Sequence, residues 1–171
     1  AAGFILGRAI IAPGDLPRRD AVVLAGRQAM RLSGAVIVMH NPGAMLAVQD
    51  GMIYADAGLA TPKLARFAAL RGCGDAEFLA GIPGTVGGAL AMNAGCYGGE
   101  TWNFVERAEV LGRDGTFVVR TRADIRVGYR TVTEHDGAPP RGIFTAAWFR
   151  FPDGDAAAAR ARIKELLGRR I

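Results

Sequence analysis

The residues best suited to chemistry lie in one stretch, Glu77 to Gly99, where glycine is concentrated. It contains Gly81-Ile82-Pro83-Gly84-Thr85-Val86-Gly87-Gly88 and, shortly after, Met92-Asn93-Ala94-Gly95. Glycines let a backbone approach a flat or charged ligand closely, and Pro83 fixes one turn. The N–H groups from Gly84 to Gly88 can cradle a pyrophosphate or bond the edge of a heterocycle, the more so if a helix starts there. Asn93 brings both a donor and an acceptor. No Gly-Lys-Ser/Thr ends the stretch, which excludes a phosphate-binding P-loop. Glycine spacing and the preceding strand exclude a Rossmann fingerprint. A glycine-rich packing turn that holds no ligand is the competing reading of the same residues.

Elsewhere the chemistry is sparse. Cys73 and Cys96 are the two cysteines; they lie far apart and outside Cys-x-x-Cys spacing, as two reduced thiols would. His40 and His135 sit near turns without ligand spacing, so no metal is expected. Arg130, judged by position alone, is a surface arginine in a salt bridge. The net charge of +5 favours anionic partners such as a phosphorylated nucleotide. The basic residues are dispersed apart from Arg18-Arg19 and Arg169-Arg170, and no groove-reading motif accompanies them, so nucleic acid is not an expected partner. Membrane association is not expected either, since no apolar run reaches the ~18 residues of a span. Ala1 to Ala12 is interrupted by Arg8 and makes a poor signal peptide.

Several elements must position these residues. Ala35 to Met39 is short and β-branched, as buried strands are. Met45–Val48 and Met52–Ala55 flank Asp50-Gly51, a hairpin signal, because that pair tolerates positive φ. Thr61 is expected to cap a helix with Pro62 in its first turn, Leu64, Phe67 and Ala68 on its apolar face, and Gly72 or Gly74 at its end. Val105–Leu111 and Thr116–Arg120 flank Asp114-Gly115 as a second hairpin. Phe144–Phe151 is an aromatic strand. Asp155 caps a last helix whose buried stripe is Ala159, Ile163, Leu166 and Leu167. Strand pairs with interspersed helices imply an α+β fold, mainly antiparallel.

The run Glu-Phe-Leu-Ala-Gly-Ile-Pro-Gly-Thr-Val-Gly-Gly-Ala from Glu77, followed by Met92-Asn93-Ala94-Gly95, resembles the signature of the UDP-N-acetylenolpyruvoylglucosamine reductase family. Gly128-Tyr129-Arg130 resembles that family's second signature, in matching order and spacing, and the likeness runs from about Gly34 to the end. The resemblance implies an FAD-binding domain of the vanillyl-alcohol-oxidase type, mainly its second lobe, an antiparallel sheet with flanking helices. It implies a cytoplasmic flavoprotein of peptidoglycan precursor synthesis, an oxidoreductase with FAD as cofactor and NADPH as hydride donor. The substrate would be a nucleotide sugar, UDP-N-acetylglucosamine enolpyruvate, reduced to UDP-N-acetylmuramate. On the same ground Ile82, Pro83, Gly84, Thr85, Gly87 and Gly88 would line the FAD, mainly through backbone atoms. Asn93 would hold that loop or the flavin. Tyr129 would sit beside the substrate, and Arg130 would be the catalytic arginine that binds and polarises the enolpyruvyl carboxylate.

The expected organisation is a divergent N-terminal segment, 1–33, without the family's Gly-Ser-Asn loop, then an FAD-binding lobe, 34–171, with the C-terminal substrate domain absent. In the family that domain supplies the serine that protonates the substrate; Ser33, the one serine here, lies in the wrong region. The 171 residues by themselves are therefore expected to turn over little substrate. An inert flavin- or nucleotide-binding module, or a degenerate paralogue, is the alternative. Cys96, inside the first signature, is read as a small soft residue in a tight loop.

Overall fold

The structure, a computed structural model, describes residues 41 and 43–169 together with four short strands of the preceding segment. There, β1 (Phe4–Leu6) pairs antiparallel with β2 (Ala9–Ile11), and β3 (Arg31–Leu32) with β4 (Ala35–Val36). The strand expected over Ala35–Met39 is described at its first two residues. His40, the loop at Pro13–Pro17 and most of Asp20–Leu32 lie outside the described residues.

The first expected hairpin forms as read. β5 (Leu46–Gln49) and β6 (Met52–Asp56) are joined by Asp50 at φ 52° and Gly51 at φ 71°, the doubly left-handed turn that Asp-Gly allows. The second hairpin, β9 (Val105–Leu111) with β10 (Phe117–Thr121), closes through Gly112–Thr116 rather than through Asp114-Gly115 alone. Asp114 makes the longer loop stable by accepting bonds from the Thr116 amide at 3.1 Å and its hydroxyl at 2.7 Å. The aromatic strand β13 (Ile143–Phe149) inserts between the hairpins, giving a five-stranded antiparallel sheet in the order β10-β9-β13-β6-β5. Two register shifts in β13 mark bulges against β9.

Helix α1 (Thr61–Leu70) has Pro62 in its first turn, buries Leu64, Ala65, Ala68 and Ala69, and ends at Gly72 in the left-handed region. The residue at its cap is Ala60, with no side-chain cap bond, so Thr61 does not cap it; its hydroxyl goes elsewhere. Helix α3 (Ala156–Gly168) is capped by Asp155, which accepts from the Ala158 amide at 2.6 Å, and buries Ala159, Ile163 and Leu166, with Leu167 partly buried. Both helices pack on a 3₁₀ turn, Glu77–Gly81, so the glycine-rich stretch begins inside the core. One face of the sheet contributes Ile53, Ala55, Ala108, Val110, Ala147 and Phe149 to that core. Phe104 and Phe151 extend it, with ring centroids 5.1 Å apart. The other face carries Tyr54 against Trp148 and Arg107 over the Trp148 ring at 4.5 Å. Among the described residues no helix is long and apolar enough to cross a membrane.

Candidate functional site

The glycine-rich stretch is built in three pieces. Phe78, Leu79 and Ala80 are buried in the 3₁₀ turn, and the chain then extends through Ile82 and Pro83 to Thr85. A short helix follows, α2 (Val86–Ala91), with Thr85 at its cap. Thr61 at the start of α1 fixes the extended part. Its hydroxyl donates to the Ile82 carbonyl at 2.6 Å, and it lies 3.3 Å from the Gly84 carbonyl; the Thr61 amide also donates to Gly84 at 3.1 Å.

This arrangement changes which donors can meet a ligand. The Val86 and Gly87 amides, expected to cradle a pyrophosphate, donate instead to the Leu59 and Ala57 carbonyls, each at 2.8 Å. The Gly88 amide points at the Thr85 hydroxyl oxygen at 3.4 Å. Among the described residues, the Gly84 and Thr85 amides meet no protein acceptor. Gly84 adopts φ 121°, where a side chain would be strained, and beside it Pro83 is exposed and Gly84 half-exposed. The side chains of Ile82 and Thr85 are buried, as is Gly87, so the part of this segment open to a ligand is the chain around Pro83, Gly84 and Gly88. Bare backbone with two adjacent unspent donors fits the edge of a flat, acceptor-rich heterocycle such as a flavin.

After α2 the chain reverses at Asn93, whose φ of 41° is left-handed. It then forms the hairpin of β7 (Gly95–Cys96) and β8 (Gly99–Glu100) through Tyr97 and Gly98, both at positive φ. Asn93 is 2% exposed and spends both amide hydrogens: Nδ2 donates to Glu100 Oε2 at 2.9 Å and to the Gly128 carbonyl at 3.2 Å. Its Oδ1 accepts from the Trp102 amide at 3.1 Å. Trp102 is itself core, donating from Nε1 to the Leu90 carbonyl at 2.7 Å.

Gly128 ends the strand β11 (Ile125–Gly128), which pairs with β12 (Thr131–Glu134). Tyr129 and Arg130 are the two turn residues between them. Tyr129 is 87% exposed, and Arg130 holds φ 53°, a conformation that costs energy in a residue with a side chain. Arg130 joins no ion pair among the described residues.

A cleft of about 300 Å³ opens where these pieces meet, lined by Asn93, Gly95, Cys96, Gly98, Gly99, Glu100, Tyr129 and Arg130. The structure thus brings Asn93, Tyr129 and Arg130 together; Ile82, Pro83, Gly84, Thr85, Gly87 and Gly88 lie outside this lining. Glu100 is the acidic residue of the cleft that sequence reasoning missed. The available signal was its place seven residues after Asn93, across a Tyr-Gly turn.

Residues 22–121 match the family model described as FAD binding domain. The chain is 51% identical over 148 residues to the UDP-N-acetylenolpyruvoylglucosamine reductase of Nitrosomonas eutropha, which covers 82% of this chain and 45% of that protein. It is 46% identical over 159 residues to the enzyme of the same name from Nitrosospira multiformis, covering 81% and 46%. The crystal structure of UDP-N-acetylenolpyruvylglucosamine reductase from Thermus caldophilus superposes with a TM-score of 0.60 at 33% identity, over 72% of this chain and 44% of that one. The chain spans about half the length of the curated relatives it matches.

Proposed function

The chain belongs to the FAD binding domain family, as a partial chain of the UDP-N-acetylenolpyruvoylglucosamine reductases, and on that premise we propose that it is the flavin-binding portion of an NADPH-dependent oxidoreductase. Its substrate is UDP-N-acetylglucosamine enolpyruvate, its product UDP-N-acetylmuramate, and its place of work the cytoplasm, in peptidoglycan precursor synthesis. The observation that carries the reading is the cleft itself: among the described residues an arginine without an ion pair and an exposed tyrosine line it, and the glycine-rich stretch that supplies Gly95, Gly98 and Gly99 to it holds unspent backbone donors at Gly84 and Thr85.

When bound, FAD supplies the hydride, received from NADPH, that reduces the enolpyruvyl double bond. The backbone at Pro83, Gly84, Thr85 and Gly88 would hold the cofactor, and the neighbouring Ile82 and Gly87 would keep that backbone in place. Arg130 takes the substrate carboxylate on its guanidinium, which suits a bidentate contact and stabilises charge that grows on the carboxylate side during hydride addition. Tyr129 flanks the substrate, and Asn93 fixes the loop against the arginine-bearing hairpin. A proton must still reach the neighbouring carbon. In the resembling family a serine of the substrate domain delivers it, so little turnover is expected of these 171 residues alone.

The test is a visible spectrum on FAD titration, followed by NADPH oxidation in the full-length protein carrying this chain. The expected result is a perturbed flavin spectrum and oxidation that depends on the enolpyruvyl nucleotide, with Arg130→Lys at least about tenfold slower in kcat because a point charge replaces a planar fork. A flavin spectrum untouched by the protein would sink the cofactor assignment. NADPH oxidation indifferent to the nucleotide would sink the substrate.

A further inference from the structure

We propose that Glu100 is a positioning residue for the arginine-bearing turn, acting through Asn93; the inference rests on the reading of Arg130 as the carboxylate-binding residue. The cleft contains two hairpins that are far apart in sequence. One ends at Glu100, the other turns at Tyr129-Arg130. Their link is the buried amide of Asn93, with one hydrogen on Glu100 Oε2 and one on the Gly128 carbonyl, a single residue before the turn.

An amide can be rotated end for end, so its orientation must be selected by its partners. On one side the Trp102 N–H demands the oxygen. On the other, two acceptors demand the nitrogen, and of these Glu100 is the charged one and the stronger. With Glu100 removed, one hydrogen of a buried amide loses its partner. The bond to Gly128 then becomes the only tie on the nitrogen side. The Glu100 stem lies close to Gly95, across the β7–β8 pair, where an added Cβ would come within 3.2 Å of Glu100 Cγ and 2.6 Å of the Gly99 carbonyl oxygen. Glu100 forms no ion pair with Arg130 among the described residues, so it orients the turn without neutralising the guanidinium.

Two readouts test this in the protein carrying this chain. The first is hydrogen–deuterium exchange over Ile125–Glu134, with β6 and β13 as internal reference. The second is the ratio of affinities for the enolpyruvyl nucleotide and for UDP-N-acetylglucosamine, which lacks the carboxylate. Glu100→Ala should speed exchange in the hairpin alone and reduce the ratio by about tenfold or more, the worth of one charge-assisted bond. Glu100→Gln retains an acceptor without the charge and should restore both in part. If Glu100→Ala does not fold, Glu100→Asp, one methylene too short to reach Asn93, should give the same two changes. Unchanged exchange and ratio in the Ala or Asp variant would overturn the proposal. So would a Gln variant as impaired as Ala, since an acceptor facing Asn93 would then restore nothing. A wild-type protein indifferent to the enolpyruvyl group would sink the substrate reading alone, and the exchange rates would still decide the role of Glu100.

Discussion

One buried hydroxyl helps to hold the extended part of the glycine-rich segment. Thr61 is fully buried and donates to the Ile82 carbonyl. Its sequence context, ahead of a proline, reads as a helix cap, and only the fold reveals that its partners lie twenty-one and twenty-three residues onward. Thr61→Val keeps the shape and leaves a buried carbonyl without that donor. We expect about 1–3 kcal/mol lost in urea unfolding, together with weaker flavin binding, because the Pro83–Gly84 backbone loses its brace. Arg130 teaches a related lesson. Its position alone suggests a solvent-exposed arginine in a salt bridge; the structure gives it no ion pair among the described residues and a left-handed backbone. Neither property can be read from residue type.

Hairpins were legible where turn chemistry is strong. Asp50-Gly51 announced the β5–β6 turn and takes positive φ at both residues. The β11–β12 hairpin was not legible as a hairpin, since Tyr129-Arg130 has none of the usual turn residues; its Gly-Tyr-Arg drew notice only as part of a motif. The glycine-rich stretch was legible as backbone meant for close approach, but the object approached is in part the protein itself. A Cβ on Gly81 would lie 2.4 Å from the Tyr97 ring and 2.7 Å from Cys96 Sγ, and Tyr97 is tethered by its hydroxyl to the Leu166 carbonyl at 2.8 Å. Gly81→Ala should therefore cost about 1–3 kcal/mol in thermal or urea unfolding, the usual range for overpacking. The cleft side of the β7–β8 hairpin should shift with it. The packing-turn reading thus holds for Gly81, and the proposed ligand loop is left to Gly84 and Gly88.

Across the whole molecule, acid sensitivity follows from carboxylates that are solvent-facing yet well bonded. Asp114 is held below the usual carboxylate range by the Thr116 hydroxyl, Asp124 by the Thr121 amide and Glu165 by Arg162. Groups with lowered native values contribute stability above the unfolded value of about 4 and lose it as pH falls through the native one. The melting temperature should be flat from neutrality to about pH 5 and fall below about pH 4. A melting temperature unchanged down to about pH 3 would contradict this. The order of strands has another consequence. The middle strand, β13, comes last in sequence, after both hairpins it joins. While the chain emerges from the ribosome, β6 and β9 each wait with one naked edge, and the strand that joins them in the finished sheet is made last. A nascent chain stalled before Ile143 would hold two unmatched ribbons, each able to capture a stray strand from a neighbour.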